Sequence, residues 1–467
     1  MASTNNQRKV QHLLLRASFG ETPAFMHKFG HKNPKEIVKN LFKNSKTFTD
    51  LKIFDEPDDM FKDLGAKTKE ERAGIFKSSQ ERIRDLNVAW IEKLVNDPAQ
   101  LREKMTLFWH SFFPCRGING FFMQNQNNTI RRFALGKYGD LLNALAKDAA
   151  LILYLGNNTN TKDNVNDAFA RFLLSKTLGK GYYSEKDVKS AARAFTGWSF
   201  LNNGTYQYNI QDHDADEKEF LQIKGPFTGE EIITILLQHK VVATNLVTRV
   251  YRYFVNETID EEHIDHLTNR FIKSQYDIGL LMKDVFSAKW FYDEKNIGVL
   301  FKSPIQLLVN MKKTFGIKFE DEKNIIFLQK VFGQVLFYPT SIDGWSSGRD
   351  IIDSSSLMLR LRLSEYLFNI AEVNLFPKEE GDVETDYLSE KDFEVLRPLI
   401  NWAEFGTTFI GQGQEKMLEK MSLYLLQHPL NKKQKELLIK ETDQVAKSNP
   451  VMTMALKITT LPEFQLC

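Results

Sequence analysis

The chain has little cysteine, no long apolar run and little strand signal. Its two cysteines, Cys115 and Cys467, form no C-x-x-C pair, so a disulfide framework is excluded and a reducing compartment fits. No stretch reaches the ~20 continuous apolar residues of a membrane-spanning helix. The N-terminus "MASTNNQRKVQHLLLRASFG" has neither an apolar h-region nor a small-residue cleavage site, so no signal peptide is expected and the expected location is cytoplasmic. Charge of one sign is also lacking. Lys+Arg number 62 against Asp+Glu 60, a net charge of +2, which supplies no global argument for nucleic acid or for an anionic membrane surface. There is no Gly-rich phosphate loop, no G-x-S-x-G elbow and no H-E-x-x-H. "GQGQEK" at 411–416 is too short and misplaced for a dinucleotide fingerprint, so no cofactor motif is found.

What is present is helical periodicity. With 467 residues, 42% hydrophobic and 36 of them Phe, the chain can build a thick core of interlocked rings. Amphipathic spacing predicts helices over 21–42, 81–97, 99–113, 166–179, 184–198, 228–239, 243–254, 260–273 and 277–287. Thr22-Pro23, Ser184 with Asp187, and Thr228 with Glu231 mark starts. "TYQYNI" (205–210) and "KEFLQIKG" (218–225) are expected to pair as one short hairpin. No strand–helix alternation recurs, which argues against a parallel α/β sheet. The expected fold is mainly α, a large multi-helix globular protein with at most a short β-hairpin near 205–225. Polar excursions at 44–72 and an acidic run at 376–392 suggest three regions: 1–200, 201–375, and a C-terminal helical tail, 376–467.

Polar residues set into apolar helices are the candidate chemistry. Glu103 and His110 lie seven apart on one helix face, roughly 10 Å along the axis and too far for direct contact. They are either two walls of a cavity or two buried groups satisfied by neighbouring helices. Asp167 and Arg171 have the i,i+4 spacing of an ordinary ion pair. In "AARAFTGWSF" (191–200), Arg193 sits at an apolar helix end, where it is expected to hold a carbonyl or carboxylate across an interhelical junction. Gly197 permits the turn that stops the helix and Trp198 caps the cluster. Asp212, His213, Asp214 and Asp216 crowd carboxylates around one imidazole. His213 and Asp214 are the weak metal candidates, or members of a polar turn. Trp345, in the glycine- and serine-rich turn "FYPTSIDGWSSGRD" (337–350), plugs or lines a pocket.

Six segments in order are similar to one bacterial family, domain of unknown function 1800. They are "QHLLLRASFG" (11–20), "REKMTLFWHSFF" (102–113), "NDAFARFLLSKTLG" (166–179), "YSEKDVKSAARAFTGW" (183–198), "HDADEKEFL" (213–221) and "PTSIDGWSSG" (339–348). The resemblance implies a large, mainly helical bacterial protein with no established reaction. It picks out His12, Arg16, Gly20, Glu103, Trp109, Asn166, Arg171, Arg193, Gly197, Trp198, His213, Asp214, Lys218 and Trp345 as matching positions. Three polar groups of the family pattern are missing. Phe112 stands where the family has a second histidine, Phe172 replaces an acid, and Ser175-Lys176 stand near another.

Two functional readings follow. One is an enzyme, hydrolase-like or metal-dependent, with a cleft lined by His12, Glu103, His110, Arg171, Arg193, His213 and Asp214. The other, favoured by the missing groups and by the absence of a complete catalytic motif, is a scaffold or assembly protein. It would have a protein partner or form a homo-oligomer, with Arg193, Gly197, Trp198 and Trp345 as a structural latch.

Overall fold

The computed structural model describes residues 2–56, 67–117, 119–368, 396, 398–409, 411–445 and 449–467. The acidic run 376–392 and residues 57–66 of the polar excursion lie outside the described residues. The described residues are mainly helical, with 21 α-helices and three small two-stranded sheets. Among them no helix is long and apolar enough to cross a membrane.

Local chemistry sets the boundaries. Thr68 and Glu71 form a reciprocal capping box that opens the longest helix, Lys69–Asn96. The same device opens Glu185–Ala194 through Ser184 and Asp187, and Gly229–Gln238 through Thr228 and Glu231. The helix expected over 21–42 is two, Pro23–Phe29 and Pro34–Asn44. Gly30 closes the first, and Asn33 caps the second ahead of Pro34, a residue that favours the first helical turn.

The hairpin expectation is corrected in its pairing. Tyr206–Tyr208 pairs back to Trp198–Phe200, and Lys218–Phe220 pairs with Ile223–Gly225. Each closure is local. Asn203 accepts from the Thr205 amide next to Gly204 (φ +80°), while Leu221 and Gln222 both take the positive φ of a tight turn. Local turns outcompete the longer closure between 210 and 218. A third pair joins Lys318–Phe319 to Pro398–Leu399.

The helix Gln100–Phe112 is buried on nearly every face, Ser111 alone excepted. It runs through the middle, in contact with Ala2–Ala17, Pro34–Asn44, Lys69–Asn96 and Gly120–Phe133. One apolar cluster extends from Val10 to Phe464 and draws on all three regions expected from sequence. Gln414–Leu425 returns to pack on Ala2–Ala17 and Pro23–Phe29, and Pro450–Thr459 packs on Ser354–Leu367.

Candidate functional site

The structure distributes the candidate side chains over separate settings. Glu103 is sealed in the centre. Its carboxylate accepts from Arg131 Nε at 2.5 Å, Arg131 Nη2 at 3.1 Å and Trp90 Nε1 at 3.0 Å. Both charged side chains are 0% exposed. Arg131 also donates to Asn127 Oδ1 at 2.6 Å and Asn128 Oδ1 at 2.7 Å. Asn127 then uses its amide nitrogen on His110 Nε2 at 3.0 Å. That ring nitrogen is therefore an acceptor and the imidazole neutral. Burial, reinforced by Arg131, lowers the His110 pKa to about 3. Trp90 and Phe337 enclose the ring. Glu103 and His110 are thus joined through Arg131 and Asn127. The sequence reading missed Arg131. The signal is a polar stripe, Gln124, Asn127, Asn128 and Arg131, at helical spacing on the Gly120–Phe133 helix.

His12 is elsewhere, 0% exposed, with Nε2 3.1 Å from the Phe291 carbonyl and its ring against Phe291. Burial holds its pKa well below the usual imidazole value. Arg171 lies toward solvent, bonded to Asp167 at 2.8 Å and to both oxygens of Glu185 at 2.8 and 2.7 Å.

Arg193 and Asp214 meet in a bidentate pair, Nε–Oδ2 2.5 Å and Nη2–Oδ1 3.0 Å. Their side chains are 30% and 12% exposed. Arg193 also reaches the Glu217 carbonyl at 3.3 Å. Thr196 donates to the Arg193 carbonyl and accepts from the Asp214 amide. His213 Nδ1 donates to the Thr196 carbonyl at 3.0 Å. Buried Lys218 donates to the carbonyls of Asp214 and Asp216. At Gly197, φ is +77° and an added Cβ would lie 2.3 Å from the Asn209 carbonyl oxygen, so the helix end and the 209–214 turn approach as only glycine permits. Trp198 packs edge-on against Phe195 and Tyr206. These contacts tie the end of the Glu185–Ala194 helix to the 209–218 loop. His213 Nδ1 and both Asp214 oxygens are engaged by protein groups, and no group of three or more His, Cys, Asp or Glu among the described residues is placed to hold a metal ion.

Trp345 lies apart from that junction, in a cleft of about 760 Å³. One wall is the end of Gln100–Phe112, with Phe108, Ser111 and Phe112. Ala168–Thr177 contributes Ser175 and Lys176, Lys240–Phe254 contributes Arg249 and Arg252, and the 343–351 loop closes the far side. Gly344 (φ +101°) lets that loop press against the helix end, where an added Cβ would meet the Ser111 carbonyl oxygen at 2.8 Å. Trp345 Nε1 donates to the Tyr338 carbonyl at 3.1 Å. Lys176, its side chain 4% exposed, is 3.8 Å from the exposed Asp343, and burial lowers its pKa to about 8. Its ammonium lies over the Phe172 ring, and the Arg249 guanidinium lies 4.8 Å over Phe112.

A family model described as "Protein of unknown function (DUF1800)" matches residues 12–466. The chain belongs to this family. No curated protein and no solved structure matches it. In this DUF1800 chain Phe112, Ser175 and Lys176 line the Trp345 cleft, and the Lys176 ammonium lies over the Phe172 ring.

Proposed function

We propose that this DUF1800 protein is an assembly or interaction protein, and that the Lys176–Arg249–Trp345 cleft receives an acidic segment of a protein partner. One observation carries the reading: two arginines on that cleft, Arg249 and Arg252, stand without a carboxylate partner among the described residues, Arg249 over the Phe112 ring. Lys176, Arg249, Arg252 and Arg349 share the lining with three carboxylates, Glu257, Asp343 and Asp350. Glu257 is engaged by Arg349 at 3.3 Å and Asp343 by Lys176 at 3.8 Å. Arg249 and Arg252 have no carboxylate within ion-pair distance among the described residues, leaving cationic donors for an incoming acid. The volume falls in the range of ligand-binding clefts, and Trp345 and Phe112 offer flat apolar surface beside the charges.

The hydrolase-like or metal-dependent alternative would draw on His12, Glu103, His110, Arg171, Arg193, His213 and Asp214, of which Glu103 and His110 are 0% and 1% exposed and bonded to Arg131 and Asn127. A labelled oligoglutamate peptide tests the proposal by fluorescence anisotropy, with oligolysine as control. Binding that weakens with salt and is lost in Arg249→Glu/Arg252→Glu is expected. Equal binding of both peptides, or full binding by the charge-reversed variant, contradicts it.

A further inference from the structure

The 338–351 segment brings one of the chain's own carboxylates onto the cleft. Three contacts fix its near end. Thr340 Oγ1 donates to the Gly344 carbonyl at 2.9 Å, the Gly344 amide to the Ser341 carbonyl at 3.0 Å, and Trp345 Nε1 to the Tyr338 carbonyl at 3.1 Å. Arg349 fixes the far end, 3.3 Å from Glu257. Asp343 stands at the tip of the 341–344 turn, where its amide donates to Ser341 Oγ at 3.1 Å. Its side chain is 92% exposed, and its carboxylate lies 3.8 Å from Lys176 Nζ, on a side chain only 4% exposed.

The two partners differ in what separation costs them. Among the described residues Lys176 has no second carboxylate, and Asp343 no second cation, within ion-pair distance. An exposed aspartate gives up little on leaving, because water resolvates it. The lysine is enclosed, its ammonium 5.6 Å over the Phe172 ring, and an enclosed charge left alone needs a new acceptor. Lys176 therefore requires a carboxylate but not this one in particular. Lys176, Arg249, Arg252 and Asp343 line one cleft, so an acid drawn to the two arginines meets Asp343 there. Asp343 opposes that acid twice, by holding Lys176 and by like-charge repulsion.

We infer that Asp343 is a resident competitor for the cleft: it holds Lys176 until a carboxylate of the partner displaces it, and so sets the affinity that an acidic segment must exceed. The inference rests on the acidic-segment reading of this cleft and adds its regulation. The turn pins the competitor beside the lysine, so it competes from within the chain at a fixed, high local concentration. A built-in carboxylate of this kind also disfavours weakly acidic segments, which is selection by an opposing element and not by a new attractive one.

Fluorescence anisotropy of the labelled oligoglutamate peptide with full-chain variants, at one ionic strength, tests it. Asp343→Asn, nearly unchanged in shape, is expected to bind about threefold tighter than wild type or better, the scale of a partly exposed ion pair. Asp350→Asn removes a like charge from the same lining, where no cation lies within ion-pair distance of Asp350 among the described residues, and is expected to give a smaller gain. On a Lys176→Met background, Asp343→Asn is expected to gain no more than Asp350→Asn does, because the contested cation is gone. Binding seen only in Asp343→Asn also supports the competitor. Equal affinities of Asp343→Asn and Asp350→Asn, or a gain undiminished in Lys176→Met, overturn the competitor, while salt-sensitive binding lost in Arg249→Glu/Arg252→Glu still upholds the acidic-segment reading. Absence of binding in both wild type and Asp343→Asn overturns both.

Discussion

Arg131 holds Glu103 through two hydrogen bonds, 2.5 and 3.1 Å long, with neither side chain exposed to solvent. A pair so placed yields little when intact but is expensive to break, because the survivor is left as an unpaired buried charge. Arg131→Met is therefore expected to cost about 3–5 kcal/mol, with Glu103→Gln also destabilising. The double substitution Glu103→Leu/Arg131→Met should cost less than the sum of the corresponding single changes. Urea unfolding of the set checks this, and strict additivity would contradict the pairing.

The Arg193–Asp214 pair is weaker because water reaches it, with 30% of the arginine side chain exposed. Arg193→Ala is expected to cost about 0.5–1.5 kcal/mol, a screened value below that of the central pair. A double-mutant cycle with Asp214→Asn should return a positive coupling energy. Zero coupling would remove its role in tying the 209–218 loop to the helix end.

Gly197→Ala should be costlier than its one added methyl suggests. The backbone sits at φ +77° and the new Cβ meets a carbonyl oxygen at 2.3 Å, on a backbone that cannot swing aside as a side chain can. A loss of more than about 1 kcal/mol is expected in thermal or urea unfolding. An unchanged midpoint would mean that the turn relaxes freely.

Acid should destabilise the fold in a defined window. His110 has a folded pKa lowered to about 3, and His12 is lowered in the same direction, against roughly 6.5 unfolded. Below about 6.5 the unfolded chain binds protons that the folded chain refuses, so stability falls as pH drops toward 3. The slope is up to about 1.4 kcal/mol per pH unit for each histidine. Asp148 opposes this. Its pKa is raised to about 7 by burial, so the folded state holds its proton between roughly 4 and 7 and gains stability as pH falls through that range. Unfolding free energies from pH 7 to 4 should therefore be shallower in wild type than in Asp148→Asn. They should flatten in a folded His110→Gln. A His110→Gln profile as steep as wild type would contradict the neutral, buried imidazole.

The helical architecture was readable because caps and periodicity act locally: Ser184 with Asp187, and Thr228 with Glu231, start helices as their spacing indicates. Strand partners were less legible. "TYQYNI" shows alternation, yet its partner was decided by the turn at Asn203-Gly204 and not by the nearest strand-like run. The junction of Arg193, Gly197 and Trp198 could be read as a unit, since the three are close in sequence. The partner of Glu103 could not, because Arg131 comes from another helix 28 residues on and isolated helices carry no record of who packs beside them. The cleft was hidden for the same reason. Phe112, Lys176, Arg249 and Trp345 belong to four segments joined only by tertiary packing.

The measurement that tests the account most directly is calorimetric titration of an acidic peptide into variants altered at different places. The account predicts full affinity in Arg193→Ala and in His213→Ala, whose side chains serve the loop junction. It predicts loss of binding in Arg249→Glu/Arg252→Glu with the far-ultraviolet circular dichroism unchanged. Binding that survives in the charge-reversed cleft and vanishes in a folded Arg193→Ala or His213→Ala would contradict it.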